Sequence, residues 1–159
     1  RLRIGRVFSW HFASPVWGSL ACILHPGNSA ARNKLASHYP WLRQVLALDV
    51  SCHAQIECVS QDLSDESIDL IINNAGIYPK SGGNSFGHTD YEEWMRVFRI
   101  NTMAPLKMAE TFATQLARSE HKTLVALTSK KGSMADNNGG RNYIYSYSTT
   151  EEKTEVNDL

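Results

Sequence analysis

Residues 68–78 read IDLIINNAGIY, a short apolar run that stops on Asn73-Asn74-Ala75-Gly76. The run at 68–72 has strand length and no polar alternation, as a strand covered on both faces requires. The Asn-Asn-Ala-Gly stretch then turns the chain sharply. Gly76 has no Cβ, so the backbone there can come close to a ligand. An Asn amide both donates and accepts, and so can hold neighbouring backbone groups. Taken alone, the stretch is equally an ordinary Asn-Gly-type turn.

Similar runs lie on both sides, at 16–24 (VWGSLACIL), 44–50 (QVLALDV) and 123–127 (TLVAL). Helical composition fills the intervals. Residues 28–38 carry Asn28 or Ser29 as an N-cap, 54–63 form a second helix, and 90–118 form a long one capped by Thr89 or Asp90. In that long helix Trp94, Val97, Phe98 and Met103 supply part of a buried stripe. Residues 79–88 and 130–142 read as loops. Strand-length runs alternating with helices predict βαβ units: an α/β, doubly wound parallel sheet with helices on both faces. Ligands of such sheets bind outside the C-terminal ends of the strands. The polar residues at those ends are His25, Asp49, Asn73 to Gly76 and Ser129.

The chain has 159 residues and 42% hydrophobic content, enough for one packed domain. Sixteen basic residues balance sixteen acidic ones, which gives no electrostatic reason to expect nucleic acid or an anionic membrane as a partner. A small anion remains compatible, because backbone N–H groups can bind it. Cys22, Cys52 and Cys58 fit neither a zinc site nor a disulfide framework, and no metal site is expected. They read as reduced, mostly buried thiols of a cytoplasmic protein. No apolar run is long enough to span a membrane, and residues 1–5 (RLRIG) lack the pattern of a signal peptide.

Further stretches follow in a recognisable order: ALDVS at 47–51, RINTMAP at 99–105, LVALTSKKGS at 124–133, ADNNGG at 135–140 and NYIYSYS at 142–148. Together with IDLIINNAGIY, they resemble the short-chain dehydrogenase/reductase family, and most of all its carbonyl-reductase or C-factor-like branch. The resemblance is carried by residues 45–147. It implies a partial NAD(P)-binding Rossmann-like domain at 1–148, lacking the family's first strand and its C-terminal strands and helices, followed by a polar tail at 149–159. It also implies an NAD(P)-dependent oxidoreductase that acts on a small carbonyl or alcohol substrate.

Each motif then carries an implied role. Asp49 contacts the adenine amine and Val50 flanks the ring, although a strand-terminal Asp is also an ordinary turn former. Asn73, Asn74, Ala75 and Gly76 shape the adenosine side of the cofactor cleft. Asn101, a poor mid-helix residue, holds a water and a local helix distortion that feed a proton relay. Ser129, with Ser133 as a nearby alternative, positions the substrate oxygen. Tyr145 is the general acid/base. Gly5 stands where the family's glycine-rich pyrophosphate turn ends. At the end of the second family strand an acidic residue favours NAD and a basic one NADP. His25, with Arg32 beyond it, leans toward NADP, or else is a plain surface residue. The 90–118 helix is the family's usual subunit contact and implies a homodimer.

The sequence departs from the family in three places. Four residues after Tyr145 stands Thr149, where the family has the Lys that lowers the phenol's pKa and binds the nicotinamide ribose. Lys153, eight residues after Tyr145, lies about 12 Å from it along a helix, too far for that role. The family's first strand and its earlier glycines are not found before Gly5, and Pro15 fits badly inside a first helix. The tail TTEEKTEVNDL lacks the apolar pattern expected there, which points to a fragment or a shifted frame. The alternative function is therefore a catalytically inactive truncated homologue, or a nucleotide-binding or interaction remnant.

Overall fold

The computed structural model describes residues 18–23, 37, 42–80, 84–85, 87–129 and 132–133. The chain divides into two compact units, Arg1–Val59 and Ser60–Leu159.

In the first unit β1 (Ser19–Ile23) pairs in parallel with β2 (Leu42–Ala47), with one register shift between Ser19 and Leu20. Parallel neighbours need a long crossover. Here it runs through 24–41, which apart from Ser37 lies outside the described residues, as does the helix expected at 28–38. After β2 the chain turns at Asp49 and enters α1 (His53–Asp62), which crosses the boundary between the units. Ile56, Val59 and Leu63 recur at helical spacing and are buried, so α1 covers apolar surface with one face only.

In the second unit β3 (Leu70–Asn73) and β6 (Thr123–Ala126) pair in parallel and in register, Leu70 opposite Thr123 and Asn73 opposite Ala126. The pairing is extended at both ends, because Thr123 N donates to Asp69 O and Leu127 N donates to Asn73 O, each at 3.0 Å. Between the strands lie α2 (Tyr91–Phe98), a π-helical turn (Arg99–Met103), α3 (Ala104–Thr111) and α4 (Ala113–Ala117). Val97, Ala104, Met108, Phe112 and Leu116 are buried along this run and form the apolar face of the unit with Ile71 and Leu63. Gln115 Nε2 donates to both the backbone O and the Oγ of Ser60, and Ser60 Oγ donates to Thr111 O, tying the end of α1 to α3 and α4.

The parallel pairing expected from the sequence is present in both units, and the run at 90–118 carries at Asn101 the local helix distortion that the resemblance implied, while three details differ. Pro105 has no N–H to give the Asn101 carbonyl, and its ring would clash with that carbonyl in α geometry. The chain widens instead, and Ala104 N donates five residues back to Arg99 O. That extra residue turns Met103 off the buried stripe, where it had been expected, and leaves it 40% exposed. The loop at 79–88 contains a two-residue hairpin, β4 (Asn84–Ser85) with β5 (His88–Thr89), turned by Gly87 at φ +83°. The cysteines are not mostly buried: Cys22 and Cys58 are exposed and Cys52 is half-buried.

Candidate functional site

The site is best built from the end of β3. Asn73 closes the strand and is half-buried; its Nδ2 makes a long contact, 3.5 Å, with Pro105 O. Asn74, Ala75 and Gly76 are exposed beyond the strand end. Because β3 and β6 run in parallel and in register, the chain leaving β6 emerges beside this turn. Ser129 follows two residues after Leu127 and is half-buried, and its backbone O accepts a hydrogen bond from Gly132 N at 2.8 Å. Ser133 is also half-buried.

Asn101 sits in the middle of the π turn and reaches across to the same turn. Its Oδ1 accepts from Ile77 N at 2.9 Å, and its Nδ2 donates to Ile77 O at 3.0 Å. One side-chain amide thus satisfies both backbone groups of a residue 24 positions away, much as a neighbouring strand would. A Cβ added at Gly76 would meet only Asn101 Oδ1, at 3.7 Å, an ordinary contact.

A second tie holds the far end of the turn. Lys80 N donates to Glu93 Oε1 at 2.7 Å. Arg96 grips the same carboxylate with both ends of its fork, Nε on Oε2 and Nη2 on Oε1, each at 2.7 Å. Glu93 is buried, yet its pKa falls to about 2. The Arg96 hydrogen bonds are the largest cause and the Lys80 N–H the next, and together they outweigh the upward push of burial. Asp90, one of the two expected caps, accepts from Glu93 N at 3.0 Å and starts α2 at the right place.

Asp49 belongs to the other unit and forms a self-contained turn. Its Oδ1 accepts from Ser51 N at 2.9 Å and from Ser51 Oγ at 2.6 Å, while its own N donates to Gln55 Oε1. The turn-forming reading of Asp49 is therefore visible in the geometry. Val50 beside it is half-buried.

The structure thus brings Asn73, Asn74, Ala75, Gly76, Asn101 and Ser129 to one end of the β3–β6 pair. Gly5, His25, Arg32 and Tyr145, together with Thr149 and Lys153, lie outside the described residues. Glu93 went unnoticed in the sequence. An acidic residue three positions after an N-cap suggests a local capping box, whereas here the carboxylate turns outward to residue 80. Among the described residues no group of three or more His, Cys, Asp or Glu could hold a metal ion. No helix among them is long and apolar enough to cross a membrane.

Comparison with known proteins gives a consistent picture. Residues 20–149 match the family described as Enoyl-(Acyl carrier protein) reductase. C-signal of Myxococcus xanthus is 34% identical over 79 residues, 49% of this chain and 46% of the relative. Galactitol 2-dehydrogenase of Agrobacterium fabrum is 30% identical over 92 residues, 56% of this chain and 35% of the relative. The chain therefore spans about half or less of the length of the curated relatives it matches. A short-chain dehydrogenase/reductase of Burkholderia multivorans, solved with bound NADP, superposes with a TM-score of 0.77 at 21% identity and covers 92% of this chain and 63% of its own. An NADPH-bound carbonyl reductase from chicken fatty liver gives 0.75 at 25% identity, with 92% and 64% covered. With its fold Rossmann-like and its family match extending over most of its length, the chain belongs to the short-chain dehydrogenase/reductase family.

Proposed function

We propose that the chain is the nucleotide-binding part of an NAD(P)-dependent oxidoreductase acting on a small carbonyl or alcohol. The observation that carries this reading is the double hydrogen bond from Asn101, inside the π turn, to Ile77. It holds the Asn73–Gly76 turn at the C-terminal end of two paired parallel strands, where nucleotides bind in this class of sheet. The turn suits such a ligand: Asn74, Ala75 and Gly76 are exposed, and Gly76 has no side chain of its own, with Asn101 Oδ1 the one atom within 4 Å of where its Cβ would be. Two of the superposed structures were solved with NADP or NADPH, and His25 with Arg32 points the same way, toward NADP.

In this reading the bound nicotinamide supplies or takes a hydride at carbon, and the chain manages the proton at oxygen. Ser129 donates to the substrate oxygen and orients it. Tyr145 gives up its phenolic proton as the oxygen gains charge. Asn101 serves twice: its side chain holds Ile77, and its carbonyl, which Pro105 cannot satisfy, accepts from a water that refills the proton. In the other unit Asp49 keeps Oδ2 open to a donor, its Oδ1 being occupied by Ser51.

Thr149 favours a second reading, that of a homologue that binds the nucleotide but turns over slowly or not at all. A phenol without a neighbouring cation keeps a pKa near its unperturbed value of about 10 and is a poor proton shuttle at neutral pH. The two readings separate on one pair of proteins. Saturable NADPH binding by the purified chain, followed by fluorescence, supports the site; absence of binding removes both readings. Thr149→Lys should then raise carbonyl reduction by about tenfold or more if Tyr145 is placed as proposed.

A homodimer through the helical run at 90–118 belongs to the same proposal. Tyr91, Met95, Met103 and Leu106 are exposed along it, an apolar stripe of the kind a partner covers. Sedimentation at several concentrations should show a dimer, and Met95→Glu should shift it to monomer.

A further inference from the structure

Glu93 lies outside the nucleotide turn in sequence and has no role in the chemistry set out above. Its geometry nevertheless singles it out. It is a carboxylate only 9% exposed, held by a two-point grip from Arg96 while Oε1 also accepts from the backbone of Lys80. Its own N–H is capped by Asp90, so the residue is fixed from the backbone outward. Hydrogen bonds to ionised acceptors are about twice as strong as neutral ones, and 2.7 Å is in their range.

The placement matters more than the strength. The exposed stretch leaving β3 runs from Asn74 to Lys80. Asn101 anchors it at Ile77 and Glu93 anchors it at Lys80, and both anchors stand on the same continuous run, α2 and the π turn. Asn73 fixes the start of the stretch in the strand pairing and Asn101 fixes Ile77; the tie at Lys80 adds the far end, and a segment held along its length keeps its conformation when no ligand is bound. Binding then costs less ordering of the loop.

We infer that Glu93, oriented by Arg96, is a positioning residue for the nucleotide cleft: it clamps Lys80 so that the Asn73–Gly76 turn is held ready for the adenosine side of the cofactor. The inference rests on the cofactor reading above and adds a residue to it. Glu93 touches neither cofactor nor substrate and acts through the backbone of residue 80.

The test compares the full chain with Glu93→Ala and Glu93→Asp by amide hydrogen exchange and by NADPH titration. Loss of a hydrogen bond to a charged acceptor should speed exchange at Lys80 by about tenfold or more. Amides of the buried helix run, such as those of Phe112 and Leu116, should keep their protection. NADPH affinity should fall by roughly tenfold, because the turn must now be ordered on binding. Glu93→Asp keeps the charge beside Arg96 but shortens the reach to Lys80, and so should reproduce the loss; it decides the matter alone if Glu93→Ala does not fold. Unchanged Lys80 exchange in a folded variant overturns the clamp. Faster Lys80 exchange with unchanged NADPH affinity overturns the positioning role. If the unaltered chain binds no NADPH, the cofactor reading fails first and the inference falls with it, an outcome distinct from both others.

Discussion

The turn after β2 and the turn after β3 solve the same problem in opposite ways. Each follows a parallel strand, and each carries residues implied in binding a nucleotide. The Asp49 turn is held by its neighbours: Ser51 lies two positions away and Gln55 six. The Asn73–Lys80 turn is held from a distance, by Glu93 thirteen positions beyond Lys80 and by Asn101 twenty-four beyond Ile77. A locally tied turn forms with its own segment and fails alone. A remotely tied turn takes shape only when α2 and the π turn are packed, so its conformation reports on the whole second unit. The exposed, glycine-bearing turn, which has least to hold itself with, receives the long-range ties.

If that contrast is right, the largest loss follows from cutting the Asn101 tie. Asn101→Ala leaves a half-buried backbone N–H and C=O of Ile77 without their partners. At about 1–3 kcal/mol for each of the two unsatisfied groups, the expected cost is roughly 2–6 kcal/mol, measurable by urea unfolding. A loss below about 1 kcal/mol would mean that water replaces the amide freely and that the turn is not held from a distance.

Acid should release the second tie. Glu93 has its pKa lowered from an ordinary 4.5 to about 2 in the fold. The stabilisation it gives is therefore complete above about pH 5, since unfolding would then leave the carboxylate ionised but unpaired. It fades as pH falls from 4.5 toward 2, where the unfolded chain binds the proton first. Because Arg96 is partly exposed and solvent screens the pair, the loss should be on the order of 2 kcal/mol rather than the full shift. Glu93→Gln should flatten the stability profile in that window, and an unaltered profile would show that other carboxylates set it.

How much of this was legible in the sequence depends on the range of each interaction. The β3 strand and the Asn-Asn-Ala-Gly turn were readable because an apolar run and a breaker sit side by side. The start of α2 was readable because Asp90 caps the N–H of Glu93, three residues on. Asn101 stood out as an Asn in mid-helix, and the resemblance implied a helix distortion there, but periodicity alone gave no view of the π turn that displaces Met103. The cysteines were misjudged because residue type was read without position: Cys58 lies off the Ile56–Val59–Leu63 stripe and faces out. Glu93 and Lys80 were invisible because each is unremarkable in its own window and only folding brings them together.

Against those losses the local turn should lose little. Ser51→Ala removes the Oγ hydrogen bond to Asp49 Oδ1 but leaves the one from Ser51 N, and the carboxylate is only part-buried, so water can take the place of the hydroxyl. About 0.5–1 kcal/mol is expected, seen as a drop in thermal midpoint of a few degrees. A cost matching that of Asn101→Ala would erase the distinction between the two turns.

The smallest effect on folding should come from the residue closest to the proposed ligand. A methyl at Gly76 meets only Asn101 Oδ1, at 3.7 Å, which is ordinary van der Waals contact, and the exposed position offers room. Replacing Gly by Ala also reduces the freedom of the unfolded chain, so stability should change by less than about 0.5 kcal/mol in either direction. NADPH binding should respond quite differently, because the added methyl projects from backbone that the nucleotide is proposed to approach closely. A variant that unfolds like the parent yet binds NADPH at least about tenfold more weakly would separate the two duties of this turn, its ties facing α2 and its open side facing the ligand. Equal binding would mean that the nucleotide, if held at all, does not lie against residue 76.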